Sequence, residues 1–344
     1  MKIILDAMSG DRAPAETVRG ALLARAEQGL EVVLVGQEPI LRRELEAAGG
    51  ASGKGVSIVH AGEIIDMHDD PSTAVRRKKD SSMAVALNLL RDGAGDAVVS
   101  AGNTGALLTG ATLTVKRIPG IRRACMAPVL PVGQYGTLLI DCGANADCTP
   151  EYLLQFAFMG SFYARKLLGC PSPRVGLLSN GTEETKGAQL QKEAFALLRE
   201  AGAAGRIRFI GNIEGSDVFS DCAEVVVTDG FTGNVMLKTI EGTAKFLMRN
   251  LKEVMLRSPK NKLGAALLKK DLSGLKKLLD PGEVGGTPFL GVKKPVIKAH
   301  GSSDARAIAS ASRQAAAFVE AGVIGEIEKN IAHMRLRGEG AAEE

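Results

Sequence analysis

Tryptophan is missing from this chain of 344 residues, and aromatic side chains of any kind make up 4% of it. So thin a supply of stacking surfaces counts against single-stranded nucleic acid, and no nucleic-acid partner is expected. Histidine is scarce as well. His60, His68, His300 and His333 are scattered, so no zinc-ligand spacing forms. The five cysteines (Cys125, Cys142, Cys148, Cys170 and Cys222) are odd in number and contain no CxxC pair, the usage of a reduced, cytoplasmic chain. Neither GxGxxG with a later acidic partner nor a P-loop occurs. No metal and no nucleotide cofactor is therefore expected.

Long apolar runs are lacking too. Asp6 interrupts the first one before a secretion signal could form. Residues 97–115 carry no charge, but Ser100, Asn103, four threonines and three glycines suit a strand and a helix start better than a membrane span.

What is present is ordinary for a soluble globular chain: 45% hydrophobic residues, 24% charged residues and 41 glycines. Short β-branched runs alternate with helical patterns. Strands are expected at 2–5, 31–36, 56–60, 96–100, 174–178, 207–210, 225–228 and 295–301, with helices at 15–28, 38–48, 72–91, 150–168, 184–201, 232–256, 303–321 and 323–337. Such alternation marks βαβ units and a mainly parallel sheet. The runs 127–132 and 136–141 are joined by a short link and predict a hairpin, which makes the sheet mixed. The organisation expected is one body over residues 1–337, a distinct basic segment at 245–280 and a frayed tail at 338–344.

Ligands of open α/β sheets sit beyond the carboxyl ends of the strands. Seven such ends carry related loops: "DAMSGDRAP", "SAGNTGA", "DCGANAD", "SNGTEETKG", "GNIEGSD", "DGFTGN" and "HGSSDA". Nearly every one combines glycine with Asn, Ser or Thr at a helix start. Bare amides and the positive helix end hold an anion without a metal. The same residues also cap helices for structural reasons alone, but seven at one sheet edge favour a phosphate or carboxylate cleft. "HGSSD" sets His, Ser and Asp side by side, whereas catalytic triads assemble from distant segments. Asp66, His68, Asp69 and Asp70 read as an exposed acidic loop before Pro71 rather than a metal cluster.

These loops, with "SAGNTGAL", "DCGAN", "NGTEETKG", "TDGFTGNV" and "GGTPFLGV" in order over nearly the whole chain, resemble the phosphate acyltransferase family of bacterial phospholipid synthesis, PlsX. Ser9 stands where that family usually has a second glycine. The resemblance implies a three-layer α/β/α body of two intertwined subdomains, with a mixed, mainly parallel sheet, similar to the isocitrate/isopropylmalate dehydrogenase and phosphotransacetylase group, and a homodimer. It also implies transfer of a long fatty acyl group from acyl carrier protein to inorganic phosphate. The acyl phosphate would serve a membrane acyltransferase that acts on glycerol 3-phosphate. A short-chain phosphotransacetylase using acyl-coenzyme A is the alternative.

That chemistry needs positioning and oxyanion donors more than a protein nucleophile, because phosphate is already an anionic nucleophile and a thioester is activated. Lys186 offers a point charge at the mouth of an amide-rich loop that also holds Asn180 and Thr182. Asn234 offers an N–H donor for the same carbonyl, and the resemblance places catalytic roles at Lys186 and Asn234. Gly102, Asn103, Thr104 and Gly105 form the expected phosphate cradle. Asp141 and Asn145 orient its other side, or act as loop caps, and Ser302 and Ser303 add donors.

Residues 245–280 hold ten basic side chains against three acidic ones, more than the whole chain's net +4. The basic pI is thus local and points to an acidic partner at one place. Within 261–281, Leu263, Leu267, Leu268, Leu272, Leu275, Leu278 and Leu279 fall on one half of a helical wheel, and Lys269, Lys270, Lys276 and Lys277 on the other. Bounded by Pro259 and Pro281, this helix is expected to form a hairpin with 232–256. It would meet a dimer partner, acyl carrier protein or an anionic membrane surface at the inner face of the cell membrane.

Overall fold

The computed structural model describes residues 1–50, 55–268, 270, 272, 274 and 285–334. Two sheets organise them. The first has seven strands in the order β3 (Val56–His60), β2 (Glu31–Gly36), β1 (Lys2–Asp6), β4 (Ala97–Ser100), β12 (Val296–Lys298), β11 (Thr287–Leu290) and β5 (Cys125–Met126). The second has five, β6 (Val129–Leu130), β7 (Thr137–Ile140), β10 (Val225–Val227), β8 (Arg174–Leu178) and β9 (Arg208–Ile213). β11 pairs antiparallel with β12 and β5, and β6 with β7; the remaining pairs are parallel. The chain enters the first sheet, builds the second, and returns to the first through β11 and β12.

Period-two alternation explains the layers, because successive strand residues face opposite sides. Ile3, Leu5, Val32 and Leu34 pack into one core, while Ile4, Val33 and Val35 pack into another across the same sheet. In the second sheet Leu138, Ile140, Val225 and Val227 face one core and Leu139 and Val226 the opposite one. Strands apolar on both faces can only live between helices, so the body is three-layered α/β/α.

Helix α1 spans Ala15–Gln28 and stops at Gly29, whose φ of 67° and N–H bond to the Arg25 carbonyl end it. The helix expected at 72–91 is two, α3 (Ala74–Arg77) and α4 (Ser82–Arg91). The hydroxyl of Ser81 accepts the Ala84 N–H and starts α4 afresh, which is why the pattern breaks. After α5 (Thr104–Gly110) and α6 (Pro150–Lys166), helix α7 (Gln189–Ala203) begins five residues later than 184, because Asn180 closes the preceding loop. Strand β11 was not anticipated. It lies under "GTPFLGV", whose glycines and proline hide a strand.

Helix α8 runs Gly230–Leu256 and α9 Pro259–Leu267. Pro259 is the first residue of α9 rather than a flank outside it, consistent with its missing N–H. The two helices are joined by the Asn261 Nδ2, which donates to the Val254 carbonyl at 2.7 Å; most of the rest of the helix expected over 261–281 lies outside the described residues. Leu268 and Lys270 are exposed and Leu272 half-buried. Lys269, Leu275, Lys276 and Lys277 lie outside the described residues. Helices α10 (Ala305–Glu320) and α11 (Val323–Lys329) follow, then a 3-10 turn at Ile331–Met334; residues 335–337 of the expected last helix also lie outside. Among the described residues no helix is long and apolar enough to cross a membrane.

Candidate functional site

Strand register brings Asp6, Ser100 and Lys298 side by side at the carboxyl end of the first sheet. All three point to the same face, and all three are buried. The Ser100 hydroxyl donates to Asp6 Oδ2 at 2.6 Å and accepts the Gly102 N–H at 3.1 Å. Lys298 Nζ donates to the carbonyls of Ala101 (3.3 Å) and Ala299. The Asp11 N–H donates to the Gly301 carbonyl at 2.8 Å. A β-carbon at Gly10 would lie 3.0 Å from the Ala101 side chain, so the "SGD" and "SAGN" loops touch. Around this knot lie the buried hydroxyls of Ser9 and Ser82, which act on Asp6 together with that of Ser100.

Burial drives the carboxyl of Asp6 above its ordinary range, against the Ser100, Ser82 and Ser9 hydroxyls that favour its charge. It pulls Lys298 down to about 8, with Lys238 adding to the effect and Asp6 and Asp11 opposing it. Neither residue belongs to the set read from the sequence. The available signal was a lysine embedded in the buried run Val296–Ala299 at the end of a central strand.

The cradle residues divide. The Asn103 Oδ1 accepts the Ala106 N–H at 3.1 Å, so its side chain caps α5 while Nδ2 reaches toward the Asp66 and Asp69 carbonyls at 3.5 Å. Thr104 and Gly105 are half-buried at the same helix start. The 66–70 loop spends its carboxylates internally. Asp66 accepts the N–H of His68 and Asp69, Asp70 that of Ser72, and Asp69 pairs with Lys78 at 2.6 Å. Among the described residues no group of three His, Cys, Asp or Glu side chains could hold a metal. Ser302 turns back on His300, whose Nδ1 lies 2.9 Å from the Ser302 hydroxyl and 3.2 Å from its N–H. The Ser303 N–H donates to the His300 carbonyl.

The second sheet's edge is built on Asp141, fully buried after β7. Its Oδ1 accepts the N–H of Met126 (2.8 Å) and Ala144 (3.3 Å), and its Oδ2 the N–H of Asn145 (2.7 Å) and the Asn145 side chain (3.0 Å). Asn145 also donates to the Ala124 carbonyl at 2.9 Å. Desolvation still raises Asp141 above the usual carboxylate range. Both carboxylate oxygens of Asp141 and the Nδ2 of Asn145 are thus spent tying the loop to β5 and its flank. The first turn of α8 lies directly on that loop: a β-carbon at Gly233 would sit 1.9 Å from the Asp141 carbonyl oxygen. Only glycine permits this approach. It leaves Asn234 exposed beside Gly143.

Lys186 belongs to the loop after β8, next to β10, and so shares an edge with Asn234. Asn180 Oδ1 accepts the Gly187 N–H at 2.8 Å and closes the loop; the Lys186 N–H bonds the Glu183 carbonyl at 3.1 Å. Lys186, Asn180 and Thr182 are exposed. Beneath them Ser179 Oγ, Asn212 Oδ1 and Thr228 Oγ1 are buried without partners at the ends of β8, β9 and β10.

One element sees both edges. From α8, Lys238 and Glu241 lie within electrostatic reach of Cys142 on the second edge and of His300 on the first. Desolvation lowers His300, with Lys238, Lys298 and Lys245 reinforcing it and Glu241 opposing. Burial drives the Cys142 thiol up, and that of Cys148 to about 12, away from the thiolate a nucleophile needs.

Residues 1–326 match the family model described as fatty acid synthesis protein. The chain is 49% identical over 321 residues to the phosphate acyltransferase of Oceanobacillus iheyensis, across 93% of this chain and 94% of that one. It is 48% identical over 342 residues to that of Pelotomaculum thermopropionicum, across 99% and 98%. Among solved structures, a phosphotransacetylase from Streptococcus pyogenes matches at TM-score 0.61 and 20% identity over 93% and 94% of the two chains. A 4-hydroxythreonine-4-phosphate dehydrogenase from Klebsiella pneumoniae matches at 0.54 and 15% over 93% and 99%. These two speak for the fold alone. With the sequence matches spanning almost its full length, the chain belongs to the phosphate acyltransferase family.

Proposed function

We propose that this protein transfers a long-chain fatty acyl group from acyl carrier protein to inorganic phosphate. A phosphate oxygen attacks the thioester carbonyl, the carbonyl becomes a tetrahedral oxyanion, and its collapse breaks the C–S bond. The carrier's thiolate leaves and takes up a proton; acyl phosphate remains. In this reading the first sheet's edge takes phosphate, and the Lys186 ammonium and the Asn234 amide donate to the oxyanion. The acyl phosphate then passes to a membrane acyltransferase acting on glycerol 3-phosphate.

The observation that carries the reading is the chemistry of the two edges. Lys186 and Lys298 supply cations and the glycine-rich loops supply amides, Lys238 of α8 acts on groups at both edges, and burial drives the Cys142 and Cys148 thiols away from their thiolate forms. A site that holds anions and lacks a primed thiolate suits a substrate that is itself the nucleophile. Names of relatives at 49% and 48% identity agree with acyl transfer to phosphate.

The α8–α9 hairpin supports the partners proposed. It carries Lys245, Arg249, Lys252, Lys260 and Lys262 beside exposed Phe246, Leu247, Leu263 and Leu267. Basic and apolar groups together fit an acidic carrier and the anionic inner face of the cell membrane, and the same face would meet a second copy of the chain in a homodimer.

The decisive assay incubates the protein with a long-chain acyl carrier protein thioester, with and without phosphate. Phosphate-dependent thiol release with equimolar acyl phosphate is expected. Release without phosphate, or turnover only with acetyl-coenzyme A, would overturn the reading.

A further inference from the structure

We propose that Lys298 is the positioning cation of the phosphate subsite, holding the Ala101–Asn103 and Ala299–Gly301 turns so that their amides meet the anion; the inference rests on the reading above that the first edge takes phosphate. The lysine ends a central strand, is 8% exposed, and spends two of its three donors on the carbonyls of Ala101 and Ala299. Each of those carbonyls opens a loop: Gly102 and Asn103 follow one, His300 and Gly301 the other. One ammonium therefore pins the two loops of adjacent strands together.

A buried ammonium is a poor stabiliser, since an apolar residue of similar volume avoids its desolvation. Its presence at a polar strand end therefore calls for a use. The surroundings supply one. Asp6 lies within electrostatic reach of the ammonium and is itself met by the Ser100, Ser82 and Ser9 hydroxyls, so the strand ends around Lys298 form a polar, hydroxyl-rich setting. The charged groups acting on Lys298 are Asp6 on β1, Asp11 in the loop after it, and Lys238 on α8. A phosphate dianion arriving among them favours the charged lysine. Burial has already brought Lys298 to about 8, so phosphate binding at alkaline pH should be coupled to proton uptake by this residue.

Three measurements test the assignment. Phosphate titration calorimetry at pH 8.5, in two buffers of different ionisation enthalpy, should show proton uptake by the wild-type protein beyond phosphate's own ionisation. Lys298→Arg, which stays charged, should show none. The phosphate KM of the wild type should rise on the order of tenfold from pH 7.5 to 9.5, following loss of the lysine proton, while that of Lys298→Arg stays flat. Lys298→Met should raise phosphate KM with the thioester KM and the melting midpoint kept. If wild-type turnover depends on phosphate but both variants keep its phosphate KM and pH profile, the Lys298 assignment alone falls. Equal rises of both KM values together with a lowered midpoint would make Lys298 a structural residue and likewise overturn the assignment. Phosphate-independent wild-type turnover would instead remove the reading on which it rests.

Discussion

Asp6 ends β1 and Asp141 directly follows β7, one in each sheet, and each is a buried aspartate whose carboxyl is raised by desolvation. Their partners differ completely. Asp141 accepts three backbone N–H groups and one side-chain amide, so both its oxygens are spent. Asp6 is met chiefly by hydroxyls: that of Ser100 donates to its Oδ2 at 2.6 Å, and those of Ser82 and Ser9 also favour its charge. Buried acceptors are ordinarily satisfied. The second edge is therefore finished around its aspartate and presents its chemistry outward, on Lys186 and Asn234. The first edge instead surrounds its aspartate with hydroxyls, which rotate to donate or to accept as the charge beside them changes.

The comparison breaks most visibly on stability. Asp141→Ala strips acceptors from the N–H groups of Met126, Ala144 and Asn145, and each buried donor left bare costs about 1–3 kcal/mol. We expect a loss of roughly 3–5 kcal/mol in urea unfolding, and activity lost with it. A loss below about 1 kcal/mol would mean that water enters and that the edge is not the closed scaffold described.

Lys186→Ala should do the reverse. The side chain is exposed in a loop, so the melting midpoint should stay, while turnover falls on the order of a hundredfold if its charge meets the oxyanion. Asn234→Ala should follow the same pattern, lowering kcat more than the donor's KM. Near-normal turnover at normal stability would remove Lys186 from the chemistry, and a change confined to KM would make Asn234 a binding residue.

Much of this arrangement was legible because the strands obey period two and their ends carry glycine-rich loops. The seven loops, expected at one sheet edge, are divided between two, three at the ends of β1, β4 and β12 and four at the ends of β7, β8, β9 and β10, because the strands form two sheets; β1, β2, β3 and β8 fell where β-branched runs placed them. The division of labour within the loops was not legible. Asn103 and Asn180 look like ligand donors in sequence; in the structure the Oδ1 of one caps α5 and that of the other closes a loop, through hydrogen bonds from Ala106 and Gly187 that no spacing encodes. Lys298 was passed over because a lysine in "VIKAH" reads as a strand residue turned to water. Only the register with Ser100 and Asp6 reveals it as buried.

A gentler test concerns the sign of the charge on Asp6. Its raised pKa means that the folded state keeps a proton the unfolded chain has released, so this contribution is present below the ordinary carboxylate value and is lost as pH rises through the folded one. Asp6→Asn lacks that loss. Relative to the wild type, its urea midpoint should improve on going from pH 4 to pH 7. If the variant instead loses ground at pH 7, Asp6 is ionised against Lys298 rather than protonated.

The smallest catalytic effect is expected farthest from both aspartates. After Gly233, helix α8 has no buried residue, and α9 has none at all. Leu267 is 79% exposed and Leu263 67%, with Lys260 and Lys262 alongside. Neither edge explains such a surface, and apolar groups beside lysines are what an anionic interface binds. Vesicles containing anionic lipid should retain the protein reversibly, and raising salt should release it as the lysines are screened. Leu267→Glu removes apolar contact and adds repulsion, so retention should fall several-fold, since each buried methylene contributes about 0.8 kcal/mol. Turnover of a soluble acyl donor should be largely kept, because Leu267 touches neither edge. Equal binding to neutral and anionic vesicles, or none to either, would take the hairpin away from the membrane, and a concentration-dependent change in molecular mass on Leu267→Glu would assign it to contact between two copies of the chain.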